Sequence, residues 1–103
     1  MSLDLVTLGA DGSPDRTVRI SDPAHHRMIV KARGLGLPLI LRLEDYYEDA
    51  EIKSEEVRGF LAEIETLIAA GAGDSQLSQL TANIKRLALE AQKDNKAILA
   101  LAD

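Results

Sequence analysis

Two apolar stripes of helical period dominate the second half of the chain. Val57, Phe60, Leu61, Ile64, Leu67 and Ile68 recur at i, i+3, i+4 and i+7, and Leu77, Leu80, Ile84, Leu87, Ala88 and Ala91 share one face further on. Such a stripe lines one side of a 3.6-residue helix and has to be buried. The run Gly71-Ala72-Gly73-Asp74-Ser75 between them reads as a linker. The first of the two helices is expected from about Glu55 to Ala70, with Ser54 as its cap and Glu55 and Glu56 against its positive end. A chain of 103 residues makes one domain, 1–103, with a single core and little volume left for a deep pocket.

The first half reads differently. Leu3 to Leu8 predicts a strand, Gly9 to Pro14 is dense in turn residues, and Thr17 to Ser21 sets Val18 and Ile20 against polar neighbours. These segments form a hairpin with one buried face. Ser21 or Asp22 can cap a following helix, with Pro23 suited to its first turn, and Gly34 and Gly36 stop it. Leu37 to Leu43 is too short to classify by period. Pro38 favours a short helix there over a strand, because proline costs a ladder hydrogen bond. Glu44 to Glu56 reads as a charged connection. The tail, Ala97 to Ala102, is helix by propensity, but a two-stranded hairpin is marginal alone, so a third strand is expected. The predicted fold is α+β: a small antiparallel sheet, made of the N-terminal hairpin plus the C-terminal strand, with about four helices packed on one face.

Composition excludes several chemistries. With no cysteine, disulfides and thiolate metal sites are out, which leans toward a reducing, cytoplasmic setting. Met1-Ser2-Leu3-Asp4 lacks the basic and apolar regions of a signal peptide, and no apolar run approaches the ~20 residues of a membrane span. A net charge of -5 argues against nonspecific nucleic-acid binding and suits a basic partner. No cofactor motif is present. Gly34-Leu35-Gly36 lacks the third glycine and preceding strand of a dinucleotide site, and no nucleophile elbow surrounds any serine.

Three constellations remain. His25 and His26 are adjacent, so on a helix they point about 100° apart and do not readily ligate one ion. A solvated or partly packed pair is the simpler reading. Asp45 to Glu56 can be aligned with a calcium loop, with Asp45, Asp49 and Glu56 at its first, fifth and twelfth positions. Tyr47 then stands where a ligand oxygen belongs and Ala50 where the sharp turn needs glycine, so no metal site is expected. The third reading takes the same stretch as a surface. Between Glu44 and Glu56 there are seven carboxylates and one lysine, and both tyrosines of the chain lie inside it. Tyrosine supplies contact area at low entropic cost, and dense negative charge steers a basic partner. The candidate partner-binding residues are Glu44, Asp45, Tyr46, Tyr47, Glu48, Asp49 and Glu51. The alternative is that the carboxylates are merely solvated. At least one of Tyr46 and Tyr47 is expected to be structural.

The run from Ala32-Arg33-Gly34-Leu35-Gly36-Leu37-Pro38 through Asp45-Tyr46-Tyr47-Glu48 to Ile52 resembles small bacterial proteins that accompany polymorphic or contact-dependent growth-inhibition toxins. The hairpin before it and the closing Leu101-Ala102-Asp103 are similar in placement. The resemblance implies an immunity protein: a cytoplasmic, non-enzymatic inhibitor that binds a cognate toxin domain, a basic nuclease being one candidate. A regulatory or adaptor module acting through helix-mediated dimerisation or partner recruitment is the alternative. A small enzyme or metal protein using His25, His26 and the acidic loop ranks third. The sequence leaves the oligomeric state open.

Overall fold

The computed structural model describes residues 3–102; Met1, Ser2 and Asp103, which enter the terminal readings above, lie outside the described residues. The elements run β1 (Leu3–Leu8), β2 (Pro14–Ile20), α1 (Asp22–Leu35), a 3-10 turn (Ile40–Leu43), β3 (Ala50–Ile52), a second 3-10 turn (Ser54–Glu56), α2 (Val57–Ala70), α3 (Ser75–Lys93) and β4 (Ile98–Ala102). The strands form one antiparallel sheet in the order β2-β1-β4-β3.

Local chemistry explains the boundaries. The hairpin turn closes through Gly9 N–H donating to the Ser13 carbonyl at 2.8 Å, and the Asp11 carboxylate accepts from the Ser13 amide at 3.1 Å. The Ser13 hydroxyl also donates to that carboxylate at 2.6 Å, and this bond first, then the amide, holds the Asp11 carboxyl below its ordinary range. Ser21 caps α1 by accepting from the Ala24 amide at 3.4 Å. The helix passes through Gly34 and ends at Gly36, whose φ of 68° lets the Leu37 amide reach back to the Ala32 carbonyl at 3.0 Å. Asp74 caps α3 through the Leu77 amide at 3.1 Å, and the Arg27 guanidinium lies 2.9 Å from its other oxygen. Both contacts hold the Asp74 carboxyl down, the Leu77 amide most. Asn95, at φ 56°, turns the chain out of α3 into β4.

Four expectations need correction. The sheet has four strands, because the acidic connection contains β3, which pairs Ala50 with Ala100 and Ile52 with Ile98. Three residues carry too little pattern to be read as a strand. Among the described residues there are three α-helices, not about four, since the expected short helix at Leu37–Leu43 is a 3-10 turn at Ile40–Leu43. The hairpin's second strand starts at Pro14 instead of Thr17, through a bulge opposite Thr7 and Leu8. Ser54 does not cap α2. It opens a 3-10 turn that Glu56 closes by accepting from the Lys53 amide at 3.1 Å.

Pairing parity assigns the faces. Leu3, Leu5, Val18, Ile20, Ile98, Ala100 and Ile52 share the side that meets the helices, and all but half-buried Val18 are buried. The stripes of α2 and α3 pack onto them: Val57, Phe60, Ile64 and Leu67 with Leu77, Ile84, Leu87 and Ala88 are buried, while Ile68 sits at the margin. The opposite parity carries Asp4, Val6, Leu8, Leu99 and Leu101, of which Val6 is buried, Asp4 and Leu99 are half-buried, and Leu8 and Leu101 are exposed. No helix among the described residues is long and apolar enough to cross a membrane.

Candidate functional site

The two tyrosines separate into an inner and an outer residue. Tyr46 is buried; its hydroxyl donates to the Ile20 carbonyl at 3.0 Å, so the ring braces the end of β2 from below. Burial pushes its phenol pKa up, the Asp22 charge adds to this, and a hydrogen bond from the Leu3 backbone opposes it. His25 meets Tyr46 edge-on at 4.9 Å and its Nε2 lies 2.6 Å from the Leu43 carbonyl. A carbonyl only accepts, so that nitrogen carries a hydrogen. Tyr47 is 63% exposed, yet its ring stands perpendicular to Tyr46 with centroids 5.5 Å apart. The Asp45 carboxylate accepts from the Tyr47 amide at 2.9 Å, an Asx turn that fixes the backbone beneath the ring.

Around Tyr47 lies a shallow groove of about 550 Å³, one wall formed by His26, Val30 and Arg33 of α1 and the other by Glu44, Asp45 and the tyrosines. Val30 is 53% exposed. Arg33 pairs with Glu44 at 3.0 Å, both side chains well exposed. Glu48 is exposed; its amide donates to the Asp45 carbonyl at 3.3 Å, and its side chain has no hydrogen-bond or ion-pair partner among the described residues.

The seven predicted contact residues therefore do not act as one set. Glu44, Asp45, Tyr47 and Glu48 belong to one exposed surface. Tyr46 lines the same groove from beneath: it is buried and supports that surface. Asp49 is also spent internally, accepting from the Ala102 amide at 2.7 Å and tying the acidic loop to β4. Glu51 is exposed on β3, away from the groove.

Behind the loop, Arg42 forms a two-pronged bridge to Glu56, with one arm at 2.7 Å, and reaches the Glu51 carbonyl at 3.3 Å. Glu56 is held at about 2, foremost by the Arg42 hydrogen bonds and then by the Lys53 amide. This bridge was not legible in the sequence, since fourteen residues separate the partners. The same holds for Val30 and His26, which reach the site only through the placement of α1.

The calcium alignment does not describe the folded loop. Asp45 serves the Tyr47 amide, Asp49 the Ala102 amide and Glu56 the Arg42 guanidinium, so the three carboxylates face different partners. His25 is buried and His26 exposed, and no cluster of three or more histidine, aspartate or glutamate side chains fit for a metal occurs among the described residues. The arrangement brings together an exposed aromatic ring held edge-on by its neighbour, an apolar side chain and the free carboxylate of Glu48. Comparison with protein-family models, with curated proteins and with solved structures finds no match, so the chain's functional reading rests on its own surface.

Proposed function

We propose that this protein is a stoichiometric inhibitor of the immunity type, binding a basic toxin domain through the surface built on Tyr47. The carrying observation is that Tyr47 is 63% exposed but held edge-on against a buried, hydrogen-bonded Tyr46. An aromatic ring fixed before encounter loses little entropy on binding, which is the property of a hot-spot anchor. Val30 offers apolar contact at its side, while Glu44, Asp45 and Glu48 supply negative charge at the rim. Charge at a rim governs encounter rate, and a desolvated anchor governs dissociation. The toxin as partner comes from the resemblance of residues 32–52. Adaptor function through helix dimerisation has less to draw on, because the long apolar stripes of α2 and α3 are spent in the core.

The test is binding to any toxin domain found encoded beside this chain, measured across a salt series. The double variant Glu44→Lys, Glu48→Lys is expected to slow association and flatten the salt dependence. Tyr47→Ala is expected to speed dissociation and cost about 2 kcal/mol of affinity or more, as a central anchor does. Unchanged binding in both variants moves the interface off this surface. Absence of binding to any neighbouring product removes the inhibitor reading.

A further inference from the structure

A second surface lies along β2, and its chemistry is opposite to that of the tyrosine face. β2 pairs only with β1, so its outer edge carries no strand, and Thr17 and Arg19 along it are exposed. A strand edge presents backbone N–H and C=O groups able to accept one more strand. Beside this edge run two grooves that share Arg19 and Asn83, of about 230 Å³ and about 490 Å³. Their far wall is α3, which presents Gln76, Gln79, Asn83 and Arg86. These follow one another at steps of three and four, so they form one stripe along the helix.

The charge of this lining is one-sided. The chain carries 17 acidic and 12 basic side chains, yet among the described residues the lining of both grooves holds Arg16, Arg19 and Arg86 and no carboxylate. Arg16 is anchored by Glu90 at 2.7 Å, at the edge of the groove. Arg86 is exposed and has no hydrogen-bond or ion-pair partner among the described residues. Arg19 is 76% exposed at its side chain and is held only loosely: its Nε is 3.5 Å from Asp4 Oδ1, an oxygen that receives no hydrogen bond. Arg86 on the helix side of the edge and Arg19 on its opposite side are thus available to an incoming anion.

We propose that the β2–α3 groove binds an extended, acidic segment of a partner protein, which adds to the sheet as a fifth strand at the β2 edge. The segment's backbone pairs with β2. Its side chains alternate, so every second one faces α3, where the Gln79 and Asn83 amides can hydrogen-bond and Arg86 meets a carboxylate. Residues of the other parity face the open side, where Arg19 stands. Half-buried Val18 and buried Leu87 form an apolar floor between them. Main-chain pairing supplies affinity and the arginines select the sequence. The groove does not involve Tyr47, so this inference stands independently of the inhibitor reading.

The probe is a fluorescein-labelled decapeptide alternating aspartate and valine, followed by anisotropy and by amide chemical shifts of the intact chain. Controls are a lysine–valine peptide, a scrambled peptide of the same composition, and two aspartate peptides N-methylated at every odd or every even residue. The expected result is saturable binding of the aspartate peptide with shifts confined to β2 and the Gln76–Arg86 face. N-methylation of one parity should abolish it and the other leave it intact. Arg86→Glu, a change at an exposed helix position, should weaken it by roughly tenfold or more, as loss and reversal of a contact charge does. Equal binding of both N-methylated peptides would mean charge attraction without strand addition and would overturn the proposal. So would no binding of the aspartate peptide, or binding of a single-stranded oligonucleotide in its place. A concentration-dependent dimer whose β2 amides are protected from exchange would assign the edge to a second copy instead and overturn it as well.

Discussion

At the scale of single residues, the positions that matter most are those where one side chain serves two ends. Phe60 is the largest wholly buried side chain and sits on the α2 stripe. Tyr46 joins the aromatic site to the hairpin by its bond to Ile20. The two should fail differently. Phe60→Ala removes a whole ring from a closed core and is expected to cost about 3–5 kcal/mol. Tyr46→Phe keeps the ring but leaves the Ile20 carbonyl short of its donor, for about 1 kcal/mol per hydrogen bond lost. Urea midpoints of the two variants check the ranking. A Tyr46→Phe loss as large as that of Phe60→Ala would mean that the hydroxyl, not the packing, holds this corner. A Phe60→Ala shift no larger than that of a surface variant would show that the stripe is not core.

At the scale of elements, one ion pair spans the joint between β3 and α2. Arg42 bridges Glu56 and also touches the Glu51 carbonyl, so it links the first 3-10 turn, the short strand and the second turn. The folded value of Glu56, about 2, lies below its ordinary 4.5. A depressed carboxyl stabilises fully above its unfolded value and loses that contribution as pH falls through the folded one. The loss therefore falls between about 4.5 and about 2. The pair is partly exposed, with side chains 42% and 24% accessible, so the effect is modest. Thermal midpoints of the native chain should fall more steeply across this window than those of Glu56→Gln; parallel curves would show that the bridge contributes nothing. The elements differ in how far the sequence discloses them. α2 and α3 were legible because a stripe repeated over several turns leaves one solution. β4 was legible because the hairpin needed a further strand. β3 was not: Ala50-Glu51-Ile52 is too brief for alternation to register, and its pairing depends on the distant Ile98 and Ala100. The candidate site was half legible. Charge and tyrosines marked the stretch, but nothing local distinguishes Asp49, bound to a strand fifty-three residues away, from the free Glu48.

At the scale of the whole molecule, the sheet order brings the two ends of the sequence to its centre. β1 lies between β2 and β4, with Leu3 opposite Ala102 and Val6 opposite Leu99, and β3 reaches the sheet only through β4. The last strand thus joins β3 to the hairpin. Without it β1 becomes an open edge, β3 has no partner, and the Asp49 carboxylate loses the Ala102 amide. It also delivers the buried Ile98 and Ala100 to the core. Pairings between the start and finish of a chain carry the largest loop-closure cost, so they form late and the earlier elements gain their full stability only when the last strand docks. Ending the chain after Lys96 is therefore expected to abolish the cooperative unfolding transition, leaving helical circular dichroism without a sharp urea midpoint. A synthetic peptide of residues 97–103 added in trans should restore part of the transition, because β1 and β3 each offer it an edge to pair with. A truncated chain that unfolds with the native midpoint and steepness would place the stability in the hairpin and helices alone, with β4 as an addition to a fold already complete.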